Sequence, residues 1–285
     1  MGMNLASFKL ALELKKKGLL DNIKSILDMG SADMRISYEN LKFLFDQSKI
    51  DFDKKKFNFL KNFPKGKRRS TKIFWNSLGF NNYECLDINN KNNSHNIDLN
   101  FPLSNNKLNK QYDLVNDFGN NEHVFNVGEA YKTMYNITKK NGLMWIRQSV
   151  YNGNGFFNFD KSFFEGMSVA NNLSILFSSY VVKINLYEEY LIPCSKELLS
   201  SIDLNKVHGI DITYVFRKIK DQEFKYYYQY SLNSPNDTYE IQHLEHPYSS
   251  EKIYIKTKEK KEYIKLAKKG NKDAIEWLRA LGINF

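Results

Sequence analysis

The sequence predicts an α/β protein with a mostly parallel sheet and helices on both faces. Apolar runs of strand length alternate with segments whose apolar residues recur at helical spacing. The clearest strand-like runs are residues 23–29, 112–117 and 142–149. Alternation of this kind favours parallel pairing, because parallel strands need long crossover connections that are usually helical.

Seven segments have the composition of strands. They are residues 23–29, 83–88, 96–99, 112–117, 142–149, 173–185 and 210–219. Helices are expected before, between and after them, at residues 5–17, 124–140 and 161–171, where apolar positions recur every three or four residues. The small-residue turn that follows the first strand marks the edge where α/β sheets bind ligands.

Two regions exceed what the alternating pattern needs. Residues 36–79 predict a helical insertion after the first strand, with helices at 37–47, 53–63 and 70–78. The insertion carries a basic run, which is either a solvated helical face or a lid over the site. Residues 231–250 are polar and predict a loop, and 256–281 predict two short helices. We therefore expect a core over residues 1–230 and a loop and helical extension over 231–285.

The net charge of +10 invites a nucleic-acid interpretation. Lysine dominates over arginine beside abundant Asn, Ile, Tyr and Phe, which is typical of an AT-rich genome, whereas bidentate phosphate and guanine contacts favour arginine. We therefore expect no nucleic-acid partner. An RNA-contacting role for the basic run of residues 54–72 stays open as the alternative.

Cysteine and hydropathy patterns bear on compartment and partners. Two cysteines, Cys85 and Cys194, are too few for a disulfide framework or a zinc site, so no metal is expected. No run of about 18 apolar residues occurs, and Lys9 and Glu13 interrupt the first helix, so neither a membrane span nor a secretory signal is expected. We expect a cytoplasmic protein whose oligomeric state is open, with a dimer among the options.

Three features in chain order are typical of a bound nucleotide-like cofactor. Gly30 lacks the Cβ that would block close approach to the turn after the first strand. Asp87, at the end of the second strand, is suited to accept hydrogen bonds from a ribose diol. Asp98 lies within the third predicted strand, where it can accept from an adenine amine with Ile88 or Leu99 against the ring.

Four segments make a family resemblance explicit. They read Leu27-Asp28-Met29-Gly30-Ser31-Ala32-Asp33, Leu86-Asp87-Ile88-Asn89, Ile97-Asp98-Leu99-Asn100 and Tyr112-Asp113-Leu114-Val115-Asn116-Asp117-Phe118-Gly119. Over residues 20–220 the chain resembles class I S-adenosylmethionine-dependent methyltransferases. Within that class, residues 121–126, 142–144 and 155–159 look like bacterial small-molecule and surface-glycan methyltransferases.

The resemblance implies a Rossmann-like sheet of seven strands, with S-adenosylmethionine as cofactor and S-adenosylhomocysteine as product. The acceptor it implies is a small molecule or a polysaccharide precursor, methylated on oxygen. The cofactor-binding residues it implies are Asp28, Gly30, Ser31, Ala32, Asp33, Asp87, Ile88, Asp98, Leu99, Asn116, Asp117 and Phe118. Ala32 departs from the family pattern, which has a second glycine there, so the turn must accommodate a small side chain.

Methylation of a hydroxyl requires a group that removes its proton. His123 follows the fourth strand, on the edge where acceptors enter, so we expect it to be the base, oriented by Asp117 or Glu122. A role as a helix cap or packed surface group stays open for His123. Substrate contacts are expected from His123, Tyr151, Asn152 and Asn154, the last standing where relatives carry a histidine and therefore unable to act as a base.

Other chemistries lose support from the same segments. After the fourth strand the chain reads Asn116-Asp117-Phe118-Gly119, which lacks the Pro-Pro-aromatic continuation of amino-adenine methyltransferases. That loop also lacks the cysteine nucleophile that cytosine methylation needs. A nicotinamide enzyme would need further glycines after Gly30. A binding protein that kept the fold without turnover remains the rival from another class.

Overall fold

The computed structural model describes residues 2–58, 69–103, 108, 111–185, 188–227, 255–256, 260–270 and 275. The strands are β1 (Gly2–Met3), β2 (Ser25–Asp28), β3 (Asp33–Met34), β4 (Asn82–Cys85), β5 (Tyr112–Phe118), β6 (Thr138–Tyr151), β7 (Leu173–Asn185), β8 (Glu188–Ile192), β9 (Gly209–Lys218) and β10 (Ile255–Lys256). The helices are α1 (Leu5–Lys16), α2 (Tyr38–Ser48), α3 (Lys54–Asn58), α4 (Lys72–Ser77), α5 (Val127–Ile137), α6 (Lys161–Ala170), α7 (Lys196–Ser200) and α8 (Lys260–Ala267).

The main sheet has the order β10-β8-β7-β9-β6-β5-β2-β4. Its first half is parallel, since β4, β2, β5 and β6 all run in one direction. From β6 onward the neighbours are antiparallel, because β9 runs between β6 and β7 against both of them. The α/β, Rossmann-like fold predicted from the sequence is confirmed. Within the main sheet, the parallel pairs are those among β4, β2, β5 and β6.

The strand expected at residues 96–99 does not form, and this prediction is corrected. A single bridge between Leu86 and His95 stands in its place. Asn90, Asn92 and Asn93 adopt left-handed φ angles of 56°, 57° and 56°, which asparagine tolerates and extended strands exclude. The asparagine-rich segment therefore turns where a strand would extend, and β8 and β10 are additional strands that the sequence pattern did not predict.

Helices cover both faces of the sheet, as expected. On one face, buried side chains of α1, α2 and α4 pack around Phe74, Trp75 and Trp145. On the other face, α5 packs through residues such as Tyr131 and Met134, and buried residues of α6 belong to the same cluster. The two layers follow from the sequence, because the apolar positions of α5 recur at helical spacing.

The helical insertion after β2 is present as α2, α3 and α4. Helix α3 is described as far as Asn58, and residues 59–68 of the predicted helix and basic run lie outside the described residues. Lys54, Lys55 and Lys56 are exposed. A solvated face therefore accounts for these three lysines.

The C-terminal extension is described in part. Helix α8 forms within the predicted helical pair, while the loop predicted at 231–250 and most of the second helix lie outside the described residues. In the described part of the chain, no helix combines the length and the apolar character needed to cross a membrane.

Candidate active site

The switch point of the sheet lies between β2 and β5. Helices that follow β2 cover one face and the helix that follows β5 covers the other, which is the arrangement in which α/β sheets form a crevice at the carboxyl ends of their strands. The loop after β2 and the loop after β5 meet there. Open α/β sheets bind ligands at this place.

Gly30 allows the loop after β2 to lie close to the side chain of Asn120, in the loop after β5. A Cβ at Gly30 would lie 2.7 Å from the Asn120 Oδ1 atom, far inside van der Waals contact. The start of the loop after β2 is fixed to β5, since the Met29 N–H donates to the main-chain oxygen of Asn116 at 2.7 Å. Ala32 is buried, which accounts for the small residue at the position of the family's second glycine. Asn120 was not predicted as a site residue.

Asp28 lies inside the core and faces the protein. Its carboxylate accepts hydrogen bonds from Thr71 Oγ1 at 2.6 Å, from Tyr83 OH at 2.8 Å and from Asn116 Nδ2 at 2.8 Å. Burial raises the pKa of Asp28 to about 6, and these donors oppose the rise. Through these bonds Asp28 joins β2 to β4, to β5 and to Thr71, the residue before α4.

Asp87 stands at the carboxyl end of β4, next to the turn after β2. Its Oδ2 atom accepts from the Ser31 N–H at 2.9 Å and from Ser31 Oγ at 2.6 Å. Its Oδ1 atom accepts from the Asn89 N–H at 3.1 Å. The two predicted cofactor residues Ser31 and Asp87 are therefore brought together, and the side chain of Asp87 is only partly buried.

The residues predicted around an adenine ring divide into two groups. Ile88 is 66% exposed, and Asp98 is exposed, with its carboxylate accepting from the N–H and side-chain amide of Asn100 at 2.9 and 2.8 Å. Leu99 instead is buried in the core beside Met29 and Leu86. Ile88 and Asp98 are thus accessible, while the Leu99 side chain supports the loop from within.

The end of β5 is a buried polar strand terminus. Asn116 and Asp117 are fully buried, and Phe118 packs on Trp145 with ring centroids 5.0 Å apart. Asp117 accepts from the N–H groups of Asn120 and Asn121 at 2.8 and 3.3 Å and from Gln148 Nε2 at 2.5 Å. Asp117 therefore fixes the loop after β5 from below. Asp33, also predicted as a cofactor residue, lies apart in β3, paired with Gly2.

Burial raises the pKa of Asp117 to about 7 from its ordinary 3.8, with the nearby Glu122 adding to the rise. Between about pH 4 and pH 7 the folded protein therefore holds a proton that the unfolded chain has lost. The unfolding free energy contributed by this carboxyl must fall as the pH rises through that window.

We expect Asp117→Asn to remove this pH dependence, because asparagine keeps an acceptor for the loop N–H groups and cannot ionise. Urea unfolding at pH 4 and pH 7 measures it: wild type should lose more stability than the variant as the pH rises. Equal losses in both proteins would show that Asp117 ionises normally in the folded state.

His123 and Glu122 are neighbours at the mouth of the crevice. The His123 Nε2 atom lies 3.5 Å from Glu122 Oε1, and burial lowers the pKa of His123. Glu122 is held firmly, since its Oε2 atom accepts from the Ser149 N–H at 2.9 Å. Of the two residues predicted to orient His123, Glu122 is in contact with it, while the hydrogen bonds of Asp117 run to the loop and to Gln148.

The loop after β6 closes against Glu122. The N–H groups of Phe156 and Phe157 donate to the Glu122 main-chain oxygen, and a Cβ at Gly155 would lie 2.5 Å from that oxygen. Glycine is therefore needed at position 155. Tyr151, Asn152 and Asn154 are exposed on this loop, and Asn152 Nδ2 donates to the His208 oxygen at 2.7 Å.

Unpartnered buried atoms gather at the carboxyl ends of β5 and β6. Among the described residues, nine buried side-chain nitrogen or oxygen atoms lack a hydrogen-bond partner, and five of them lie here. They are Asn116 Oδ1, Asn121 Nδ2, Tyr131 OH, Gln148 Oε1 and Ser149 Oγ. Buried polar atoms are nearly always paired, so this concentration marks a place built for polar ligands or water.

Sequence reasoning missed Gln148 and Ser149. Both follow the apolar run 143–146 of one strand, where polar residues in an otherwise buried segment were a usable signal. Among the described residues, no group of three or more His, Cys, Asp or Glu side chains is placed to hold a metal ion.

Comparisons with known proteins give matches among solved structures only. No family model and no curated protein sequence matches the chain. The protein TehB from Haemophilus influenzae is 13% identical over 72% of this chain and 61% of that one, with a TM-score of 0.36. An S-adenosylmethionine-dependent methyltransferase from Clostridium acetobutylicum is 11% identical, covering 75% of this chain and 92% of that one, with a TM-score of 0.34.

A third solved structure is the O-methyltransferase of a Brevibacillus brevis polyketide synthase in complex with S-adenosylhomocysteine. It is 11% identical and covers 74% of this chain and 71% of that one, with a TM-score of 0.32. The assignment of the fold class rests on the strand order and directions described above.

Proposed function

We propose that the protein is an S-adenosylmethionine-dependent methyltransferase that transfers a methyl group to the oxygen of a small molecule. The observation that carries the proposal is the pairing of the Gly30 turn with Asp87. The two lie at the carboxyl ends of the adjacent strands β2 and β4, and Ser31 joins them through two hydrogen bonds. The family resemblance puts the methionine part and the ribose of the cofactor at these two positions.

The residues present fit the cofactor. Asp87 is partly exposed and its Oδ2 atom already accepts a hydroxyl, that of Ser31, so ribose hydroxyls are chemically equivalent partners. Asn120 borders Gly30 and is placed to contact the methionine part. Ile88 and Asp98 offer an apolar face and an acceptor for an adenine ring.

When bound, the cofactor supplies a methyl group on a positively charged sulfur and leaves as S-adenosylhomocysteine. The chain's own task is to orient an acceptor hydroxyl and to receive its proton as the new carbon–oxygen bond forms. His123 suits this task, because its lowered pKa leaves the imidazole neutral near pH 7. The Glu122 carboxylate, fixed by the Ser149 N–H, stabilises the imidazolium that results.

The acceptor is proposed to be a small molecule, with a sugar or surface-glycan precursor as the narrower option. Tyr151 ends β6, Asn152 and Asn154 follow it, and all three are exposed for contact with the acceptor. The alternative role, contact with RNA through the basic run, predicts binding that falls steeply as salt is raised.

Calorimetric titration with S-adenosylhomocysteine tests the proposal, with NAD as a comparison ligand that also contains adenosine. We expect saturable binding of S-adenosylhomocysteine and none of NAD, because no second and third glycine follow Gly30. No heat of binding with S-adenosylhomocysteine at millimolar concentration would reject the proposal.

A further inference from the structure

Four charged side chains form a largely buried cluster where β6, β7, β8 and β9 lie side by side. The cations are Arg147 on β6 and Lys183 on β7, and the acids are Asp211 on β9 and Glu189 on β8. Charged side chains are rarely buried unless they are paired. The way in which these charges are paired therefore bears on every charged group beside the cluster.

Asp211 binds both cations of the cluster. Its Oδ2 atom accepts from Arg147 Nε at 2.8 Å and from Arg147 Nη2, and its Oδ1 atom accepts from Lys183 Nζ at 2.5 Å. Burial would raise the pKa of Asp211, but the charges of Lys183 and Arg147 outweigh it and hold this pKa below its ordinary value. Asp211 is therefore the ionised centre of the cluster.

Glu189 is bound by the start of α1. Its Oε2 atom accepts from the Ala6 N–H at 2.9 Å, and its Oε1 atom accepts from Asn4 Nδ2. Arg147 reaches the same helix, since its Nη1 atom donates to Ser7 Oγ at 3.3 Å. The hydrogen bonds of Glu189 thus come from neutral groups of α1, while those of the two cations run to Asp211.

Glu122 lies next to this cluster. Its Oε2 atom accepts from the Ser149 N–H at 2.9 Å, and Ser149 is the residue directly opposite Asp211 in the pairing of β6 with β9. Residues directly opposite each other in antiparallel strands have Cα atoms about 4.5 to 5.5 Å apart. Burial raises the pKa of Glu122 and the charge of Asp211 adds to the rise, whereas Lys183 and Arg147 oppose it.

With Glu122 included, the cluster has one acid more than it has cations. Because Asp211 binds both cations, the surplus negative charge is available at Glu122. The Oε1 atom of Glu122 lies 3.5 Å from His123 Nε2. A protonated His123 would supply the missing positive charge, and an opposite charge at this range favours the charged form of an imidazole.

We propose that Asp211 is a positioning residue for the proposed base, because it retains the two cations and so leaves the charge of Glu122 to His123. The inference rests on the proposed function for the role of His123 in transfer. Without Asp211, two cations would remain beside two acids, and a buried cation is costly unless an acid neutralises it. Glu122 would then serve the released cations, and the imidazolium would lose its partner.

Other titratable groups also act on the Glu122–His123 pair. Asp117 and Tyr131 interact electrostatically with Glu122. Burial and the positive charge of the amino terminus lower the pKa of His123. These groups are the same in every variant compared below, so a difference between variants reports on the cluster.

Titration of the histidine side chains by NMR between pH 4 and pH 8 tests the inference, with the His123 signal identified by its absence in His123→Ala. In Asp211→Asn, His123 should titrate at a lower pH than in wild type, because the released cations neutralise Glu122. Asp211→Asn combined with Lys183→Met removes one charge of each sign, restores the surplus acid and should return the titration towards its wild-type position. Glu122→Gln gives the size of the full effect.

Asp113→Asn is the matched control, because Asp113 is also ion-paired, accepting from Lys139 Nζ at 2.8 Å, but lies at the amino end of β5. It should leave the titration of His123 unchanged. An unchanged titration in Asp211→Asn, or an equal shift in Asp113→Asn, overturns the inference. An Asp211→Asn protein that circular dichroism shows to be unfolded also overturns it, because Glu122 would not have taken up the released charge.

The titration needs neither cofactor nor acceptor, so its result does not depend on methyl transfer. Calorimetry with S-adenosylhomocysteine on the same wild-type protein reports on the proposed function. Failure of the inference and failure of the proposed function are therefore distinguished.

Discussion

Replacing His123 with alanine should lower methyl transfer by about 10²- to 10⁴-fold, the usual contribution of a general base. An acceptor hydroxyl is hardly ionised near pH 7, so transfer depends on a group that takes its proton. His123 lies 3.5 Å from the fixed carboxylate of Glu122 and is partly exposed at the crevice. The measurement is turnover of an acceptor found by screening with labelled cofactor, between pH 6 and pH 8.

Two comparisons give this result its meaning. The affinity for S-adenosylhomocysteine should stay nearly unchanged in His123→Ala, because His123 is not among the residues predicted to contact the cofactor. His95→Ala is the control, since its ring is bonded to Glu84 at 2.6 Å and has no assigned part in transfer. Turnover close to wild type in His123→Ala would make His123 a structural residue.

Replacing Asp87 with alanine should lower the affinity of the protein for S-adenosylhomocysteine by about 10- to 150-fold. The reason is the loss of hydrogen bonds from ribose hydroxyls to a charged carboxylate, which contribute about 1.5 to 3 kcal/mol. Calorimetry on the purified variant measures the change.

A matched variant separates binding from folding in this experiment. Asp87 also accepts from Ser31 and Asn89, so its removal loosens the loop as well. Asp87→Asn keeps the size and one acceptor oxygen, and we expect it to recover melting temperature more fully than cofactor affinity. Wild-type affinity in Asp87→Ala would contradict the assignment of Asp87 to the ribose.

The strands of the sheet could be predicted from the sequence where the amino-acid composition and the spacing of apolar residues both indicate a strand. The strand expected at 173–185 is β7 with the same bounds, because this long run is rich in β-branched and aromatic residues. The run at 96–99 is shorter and has only two apolar residues, Ile97 and Leu99, and the asparagines before it adopt left-handed φ angles. A propensity for strand is overruled when the preceding chain turns away from the sheet.

The site was predictable where a residue acts from a strand end and unpredictable where partners come from distant segments. Asp87 and Gly30 were predicted as site residues from their positions after strands, and the structure brings Asp87 to Ser31, the neighbour of Gly30. Asp28 has the same position, but its role is set by Thr71 and Tyr83, which lie 43 and 55 residues away.

The central claim is that the Gly30 turn and Asp87 bind S-adenosylmethionine, and a crystal structure with S-adenosylhomocysteine tests it most directly. The account predicts the methionine part against Gly30 and Asn120, the ribose hydroxyls within about 3.2 Å of Asp87, and the sulfur facing the loop that carries His123. The claim would be contradicted if the ligand lay away from the carboxyl ends of β2 and β4 while Ser31 and Asp87 kept their present hydrogen bonds.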